Sequence, residues 1–251
     1  MDDLFQSSLQ RISRAKKHIN DLDRRINKFF KKQPYARTIE DDTDGINKLH
    51  KVKLTKQFPA GFTDLAIESV EGLRAALDHA TFAACVASGQ SDPRHSYFPI
   101  AGSRDELDNV IKGRCKDIPP DIITLCRSFN PYKGGNDLIF ALNRLCNANK
   151  HRMIVPVGIA NNRTHFKHMI ISGPASIPCP TWDREKNEIV FARTAPNTKL
   201  QYNINFSFFV AFGESDIVGG QPVIPVLRKI AEEVNRVVLA IQSVIKHKSH
   251  L

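Results

Sequence analysis

Apolar residues recur along the first part of the chain at helical intervals. Phe5, Leu9, Ile12, Ile19, Leu22, Ile26 and Phe29 are spaced by three, four and seven positions, which places them on one stripe of a helix. The pattern predicts a helix over residues 2–32, stopped by Pro34. The period then changes to two. Val52, Leu54 and Phe58 alternate with Lys51, Lys53 and Gln57, as in a half-buried strand. The Asp41–Asp42–Thr43–Asp44–Gly45 cluster reads as a turn, so a β-hairpin is expected between Tyr35 and Phe58.

A second helix over about residues 63–88 carries Leu65, Val70, Leu73, Leu77, Ala80 and Ala84 and is apolar enough for the centre of a core. Ser103 with Glu106 three positions on is a capping-box signature and predicts a short helix to about Cys115. Pro119 and Pro120 open another that ends near Phe129, and Asn136 can cap a helix from Asp137 to about Asn149. Residues 153–160, 164–172, 188–194 and 200–212 then look extended. Leu227, Ile230, Val234, Val237, Val238, Ile241 and Val244 mark a last helix to about Lys246.

The expected fold class is α+β: a helical core, long N- and C-terminal helices, an N-terminal β-hairpin and a C-terminal antiparallel sheet. No repeat or long linker interrupts it, so one domain over 1–251 is expected. Its segments are a basic helix (1–34), the hairpin (35–60), a helical core (61–151), antiparallel strands (152–213) and the last helix (222–248). The terminal helices, each with one apolar face, are expected to pack as an antiparallel pair and to offer a route to a homodimer.

Charge changes this picture at one place. The formal net charge is +10, and residues 11–32 hold nine Lys or Arg against Asp21 and Asp23, a local +7. Arg14, Lys17, Arg24, Arg25, Lys28 and Lys31, with Lys150 and Arg152 later in the chain, are candidates for contact with a phosphate backbone, with a solvated, ion-paired helix face as the alternative to the first six. No run of about 18 apolar residues marks a membrane span, and MDDLFQSS lacks the layout of a signal peptide. A cytoplasmic protein is expected, with nucleic acid as partner (RNA ahead of DNA) and no membrane. Cys85, Cys115, Cys126, Cys146 and Cys179 form no Cys-x-x-Cys pair and read as buried, reduced thiols. His165 and His168 fall on opposite faces of a strand, so no metal is expected, and no cofactor motif is present.

Two clusters could carry chemistry. In the helix Leu73–Ala80, Arg74, Asp78 and His79 interrupt an apolar run, with Arg74 and Asp78 four apart and able to pair. In Asn143–Arg152, Arg144, Asn147, Lys150, His151 and Arg152 crowd into ten residues, and Arg144 and His151 share a face if the helix runs that far. The reading without catalysis joins Arg74, Asp78, His79, Asn147, His151 and Arg152 into one buried polar network between two helices.

The series Leu-Arg-Ala-Ala-Leu-Asp-His (73–79), Phe98-Pro99-Ile100, Asn130-Pro131-Tyr132 and Asn147–Arg152 resembles a widespread family of bacterial proteins with no assigned function. The likeness covers about residues 60–157; Ala75 stands where the family usually has Ser, and Asn149 where it often has Asp. More remotely, Arg74 with His79 and Arg144 with His151 resemble the HEPN nucleases, in which an Arg and a His with four to six residues between them cleave RNA without metal at a dimer interface. The same spacing recurs at Arg11–His18 and Arg163–His168. That resemblance implies an RNA endonuclease with His151 or His79 moving a proton, Arg144 or Arg74 holding phosphorane-like charge and Asn147 orienting either. The alternative is a nucleic-acid- or protein-binding subunit of a larger assembly without catalysis.

Overall fold

A computed structural model describes residues 2–147, 153–160, 169–178, 181–202, 206–213 and 216–248. Its contacts divide the chain into two compact units. The first comprises Met1–Asp23, Gly61–Met153 and Phe212–Leu251, the second Arg24–Ala60 and Ile154–Ala211. Each is therefore assembled from segments distant in sequence, and one boundary falls inside the first helix.

The first unit is helical. α1 (Asp2–Lys31) contributes its residues up to Asp23, followed by α2 (Ala60–Ala87), α3 (Leu107–Arg114), α4 (Pro120–Ser128), α5 (Asp137–Cys146) and α6 (Val223–Lys248). α2 is enclosed, as its alanine-rich composition predicts: Ala66, Val70, Leu73, Ala76, Leu77, Ala80 and Ala84 are all fully buried. α6 buries Leu227, Ile230, Val234, Val237, Val238 and Ile241. In this unit α1 buries Phe5, Ser8, Ile12, Ala15, Ile19 and Leu22. Ser8 and Ala15 thus fill stripe positions where the hydrophobic pattern expected Leu9 instead. Ala15 lies against Gly72 of α2, where an added β-carbon would make ordinary contact with the Ala15 side chain at 3.7 Å. α1 and α6 meet through Arg228, which donates to Asp23 at 2.7 Å. Their apolar stripes are buried within the chain itself.

The short helices begin and end close to their sequence signals. The Asn136 side chain accepts the Ile139 N–H at 3.2 Å and caps α5. Ser103 Oγ accepts the Glu106 N–H at 3.4 Å, while the Glu106 carboxylate takes the Gly102 N–H at 3.1 Å; these bonds close a turn ahead of α3, which starts at Leu107 with Glu106 as an N-cap that makes no side-chain cap, later than the capping-box signature predicts. α5 is shorter than predicted. It ends at Cys146, and Asn147 is its C-cap rather than an interior position.

The second unit is built on strands. β1 (Tyr35–Asp41) and β2 (Lys48–Leu54) form the expected hairpin, in register from Tyr35↔Leu54 to Asp41↔Lys48. Its turn is held by Asp44, whose carboxylate accepts the Ile46 and Asn47 N–H groups at 2.9 Å, with Gly45 at φ +68°. Further strands are β3 (Ile154–Ala160), β4 (Met169–Ser172), β5 (Ala175–Ser176), β6 (Trp182–Asp183), β7 (Glu188–Thr194), β8 (Lys199–Tyr202) and β9 (Phe206–Phe212). The main sheet runs β1-β2-β7-β5 with β6 also on β7; β3 pairs β9 and β4 pairs β8. All three hydrogen-bonded pairs of β7 are antiparallel. The single strand expected over 200–212 is two strands, β8 and β9.

The alternation of residue types in β2 is not matched by alternating burial, because His50, Lys51 and Val52 are all buried. Lys51 and Glu188 are buried, and Lys51 Nζ lies 2.9 Å from both Glu188 and Glu40; Lys53 bridges the same two carboxylates. The opposite face packs Val52 against Ile189 and Phe191, with Tyr35, Trp182, Tyr202 and Phe208 around it.

Candidate nucleic-acid interface

The cationic residues of α1 lie on one side of the helix. At 100° per residue, Arg14, Lys17, Arg24, Arg25, Lys28 and Lys31 fall within an arc of about 120° centred opposite the buried stripe. All six are exposed. Some surface cations elsewhere are matched by acids, as Lys48 is by Asp41, Arg127 by Asp108, Arg236 by Glu233 and Lys248 by Asp121. Among the described residues, Arg14, Lys17, Arg25, Lys28 and Lys31 have no ion pair of this kind. The basic face is therefore an uncompensated field rather than a neutralised one.

The Arg74–Asp78 pair forms as its spacing predicts, at 3.1 Å. Its purpose is visible one loop away. Phe98 donates its backbone N–H to Asp78 Oδ1 at 2.9 Å, and Arg74 Nη2 donates to the Phe98 carbonyl at 3.2 Å. Two side chains one helical turn apart thus grip both polar groups of a single peptide residue. Burial raises the Asp78 pKa, opposed by the Arg74 guanidinium and the Phe98 N–H. The next residues extend the chain of contacts, since Ala101 donates its N–H to Pro131 O at 3.0 Å and bridges Tyr132. Gly135 closes that turn, because a β-carbon there would lie 2.6 Å from Asn130 O. Three of the four sequence motifs are therefore one mechanical assembly: helix clamp, loop and turn.

His79 points elsewhere. Its Nδ1 is 3.0 Å from Ser7 Oγ on α1, and burial, then the Arg11 charge, hold its pKa below the usual histidine value, against the pull of Asp78. His79 and Asp78 border a cleft of about 350 Å³ completed by Phe82, Pro93, Arg94, Ser96 and Tyr97. Phe82 and Tyr97 are 44% and 51% exposed. Sequence reasoning did not single out these two rings. Phe82 does carry a signal, as a large aromatic on the face of α2 opposite its apolar stripe.

The second predicted cluster is not assembled with the first among the described residues. Arg144 is exposed, with its nearest acid, Asp216, at 3.7 Å. Asn147 donates to Asn143 O at 3.0 Å and takes no part in the Arg74–Asp78 network, which corrects the expectation that it would. Lys150, His151 and Arg152 lie outside the described residues, as do His165, His168 and Cys179. Cys85, Cys115 and Cys126 are buried free thiols, and burial pushes the first two up to about 11, which leaves them protonated and unreactive. Among the described residues no three His, Cys, Asp or Glu side chains are grouped as metal ligands, and no helix is long and apolar enough to cross a membrane. Comparison with family models, curated proteins and solved structures finds no match for this chain.

Proposed function

We propose that this protein binds nucleic acid through the outward face of α1 and that the binding is not catalytic. The observation that carries the reading is the clustering of six exposed cations on one arc of α1, five of them without an ion pair among the described residues. Such a face attracts a phosphate backbone by charge and by counterion release, without need of base contacts. Arg74 is occupied by Asp78 and Phe98, so its place in the fold accounts for it without chemistry. RNA is the favoured polymer on the resemblance stated above.

Retention on immobilised RNA tests the reading. The double variant Lys28→Glu with Lys31→Glu replaces two cations by two anions on an exposed face and is expected to elute at markedly lower salt than the wild type. Unchanged elution would remove α1 as the contact surface.

A further inference from the structure

The cleft beside His79 has a composition that the basic face alone does not require. Among the described residues, nine large apolar side chains are exposed, and the two aromatic ones, Phe82 and Tyr97, both line this one cleft. Singly scattered apolar residues need no explanation, but two aromatic rings bordering one concavity do.

The cleft is also built to keep its shape. Phe82 stands on α2, and the opposite wall is the loop from Pro93 to Tyr97, which is tied down along its length. Asp117 accepts the Arg94 and His95 N–H groups at 2.8 and 2.7 Å. Thr81 donates to Ser96 O, Tyr97 donates its N–H to Arg114 O at 3.3 Å, and Cys115 Sγ donates to Tyr97 O at 3.1 Å. Immediately beyond, Phe98 is held by the Arg74–Asp78 clamp. A wall fixed in this way loses little freedom when a ligand enters.

Its position links it to charge. Ser7, which meets His79, lies on α1 along the same side as Arg11 and Arg14, within about 60° of arc. Arg94, on the rim, adds a further guanidinium, shared with Asp92 at 3.1 Å. A cation-bearing helix edge thus ends at a small concavity with two aromatic faces and polar groups from His79, Ser96 and Asp78. At about 350 Å³ it is a monomer-sized site, near the lower end of ligand pockets.

We infer that this cleft receives one unpaired nucleobase, stacked on Phe82 or Tyr97, from a single strand whose phosphates follow the Arg11–Arg14 edge of α1. A base supplies what the site asks for: a π-face for the rings, a polar edge for His79 and Ser96, and an attached phosphate for the arginines. A duplex cannot fill it, because its bases are stacked inside. The inference rests on the nucleic-acid reading above and narrows it to single strands.

The test uses the full chain with a fluorescent oligoribonucleotide of about 12 nucleotides, a length within the site sizes of single-strand binders, and with an abasic oligomer of equal length and charge. Wild type is expected to bind the natural strand roughly tenfold or more tighter than the abasic one. Phe82→Ala with Tyr97→Ala should bind both alike, at the wild-type abasic level, while Phe82→Trp with Tyr97→Phe keeps the preference. Both positions are exposed, and an unchanged circular dichroism spectrum confirms that the variants fold. Equal wild-type affinity for the two oligomers, or a preference that survives the double alanine change, overturns the slot and leaves the α1 reading standing. Failure of wild type to bind either oligomer at low salt sinks both.

Discussion

Arg74 and Asp78 show how a residue pair that invites a catalytic interpretation can be consumed by architecture. Each is tied to the other and to one peptide residue, Phe98. A charged group removed from such a set leaves polar partners unsatisfied in a partly buried place, and hydrogen bonds to charged groups are worth about 1.5–3 kcal/mol each. Asp78→Ala is therefore expected to lower unfolding stability by about 2 kcal/mol or more. His79→Ala, which loses one bond to an exposed serine, should cost about 1 kcal/mol. Denaturant titration of the two variants checks the order. If His79 were instead a catalytic base, wild type incubated with labelled RNA in EDTA would cut it and His79→Ala would not. The expected result is intact RNA in both. The pairing of Arg74 with Asp78 was legible because helical spacing brings positions four apart together. The grip on Phe98 was not, since nothing in a sequence says which loop will lie over a helix twenty residues away.

At the scale of elements, β2 carries the most exacting electrostatics. Lys51 and Lys53 alternate between Glu40 and Glu188, with Lys51 and Glu188 buried. Hydrogen bonds from Lys53 and Lys51 hold the Glu40 pKa at about 2, below its ordinary 4.5. Burial by itself would lower the Lys51 pKa, but hydrogen bonds to Glu188 and Glu40 outweigh it and raise the value. The sign for stability follows from proton uptake. Below pH 4.5 unfolded Glu40 binds a proton that folded Glu40 does not, so its contribution is full above 4.5 and is lost as pH falls toward about 2. Trp182 is the lone tryptophan and packs on Phe208 in the same unit, so its fluorescence reports this unfolding. Lys51→Met is expected to cost about 3–5 kcal/mol at neutral pH, the usual result of removing one partner of a buried pair. It should also flatten the acid-side decline seen by Trp182. A variant that keeps wild-type stability would mean that the network contributes nothing.

The elements themselves were mostly visible beforehand, and the exceptions have physical causes. Both long terminal helices, the hairpin and the proline- or asparagine-started helices sit close to their signals, because periodicity and caps are local. The extent of α5 was overestimated, since helix-compatible residues continue after Cys146 while the chain turns at Asn147. The two-residue strands β5 and β6 escaped notice because their extended form comes from pairing with β7, not from a pattern of their own. Of the candidate site, the α1 cations could be read directly. The aromatic cleft required the loop at 93–97 to be placed beside α2, which is tertiary information.

For the whole molecule, the account rests on charge that the chain does not neutralise for itself. The net +10 would be a diffuse solubility effect if scattered, but much of the excess stands on one face of one helix, so it should behave as a set of phosphate contacts. The dependence of RNA affinity on salt counts those contacts. For single strands, log affinity falls against log salt concentration with a slope of about −0.7 per phosphate neutralised, so the five α1 cations without an ion pair among the described residues predict a slope of about −3.5. Arg25→Ala, Lys28→Ala and Lys31→Ala together should bring it to about −1.4. A wild-type slope near zero, or a slope that the triple change leaves untouched, would contradict the assignment of α1 as the nucleic-acid face.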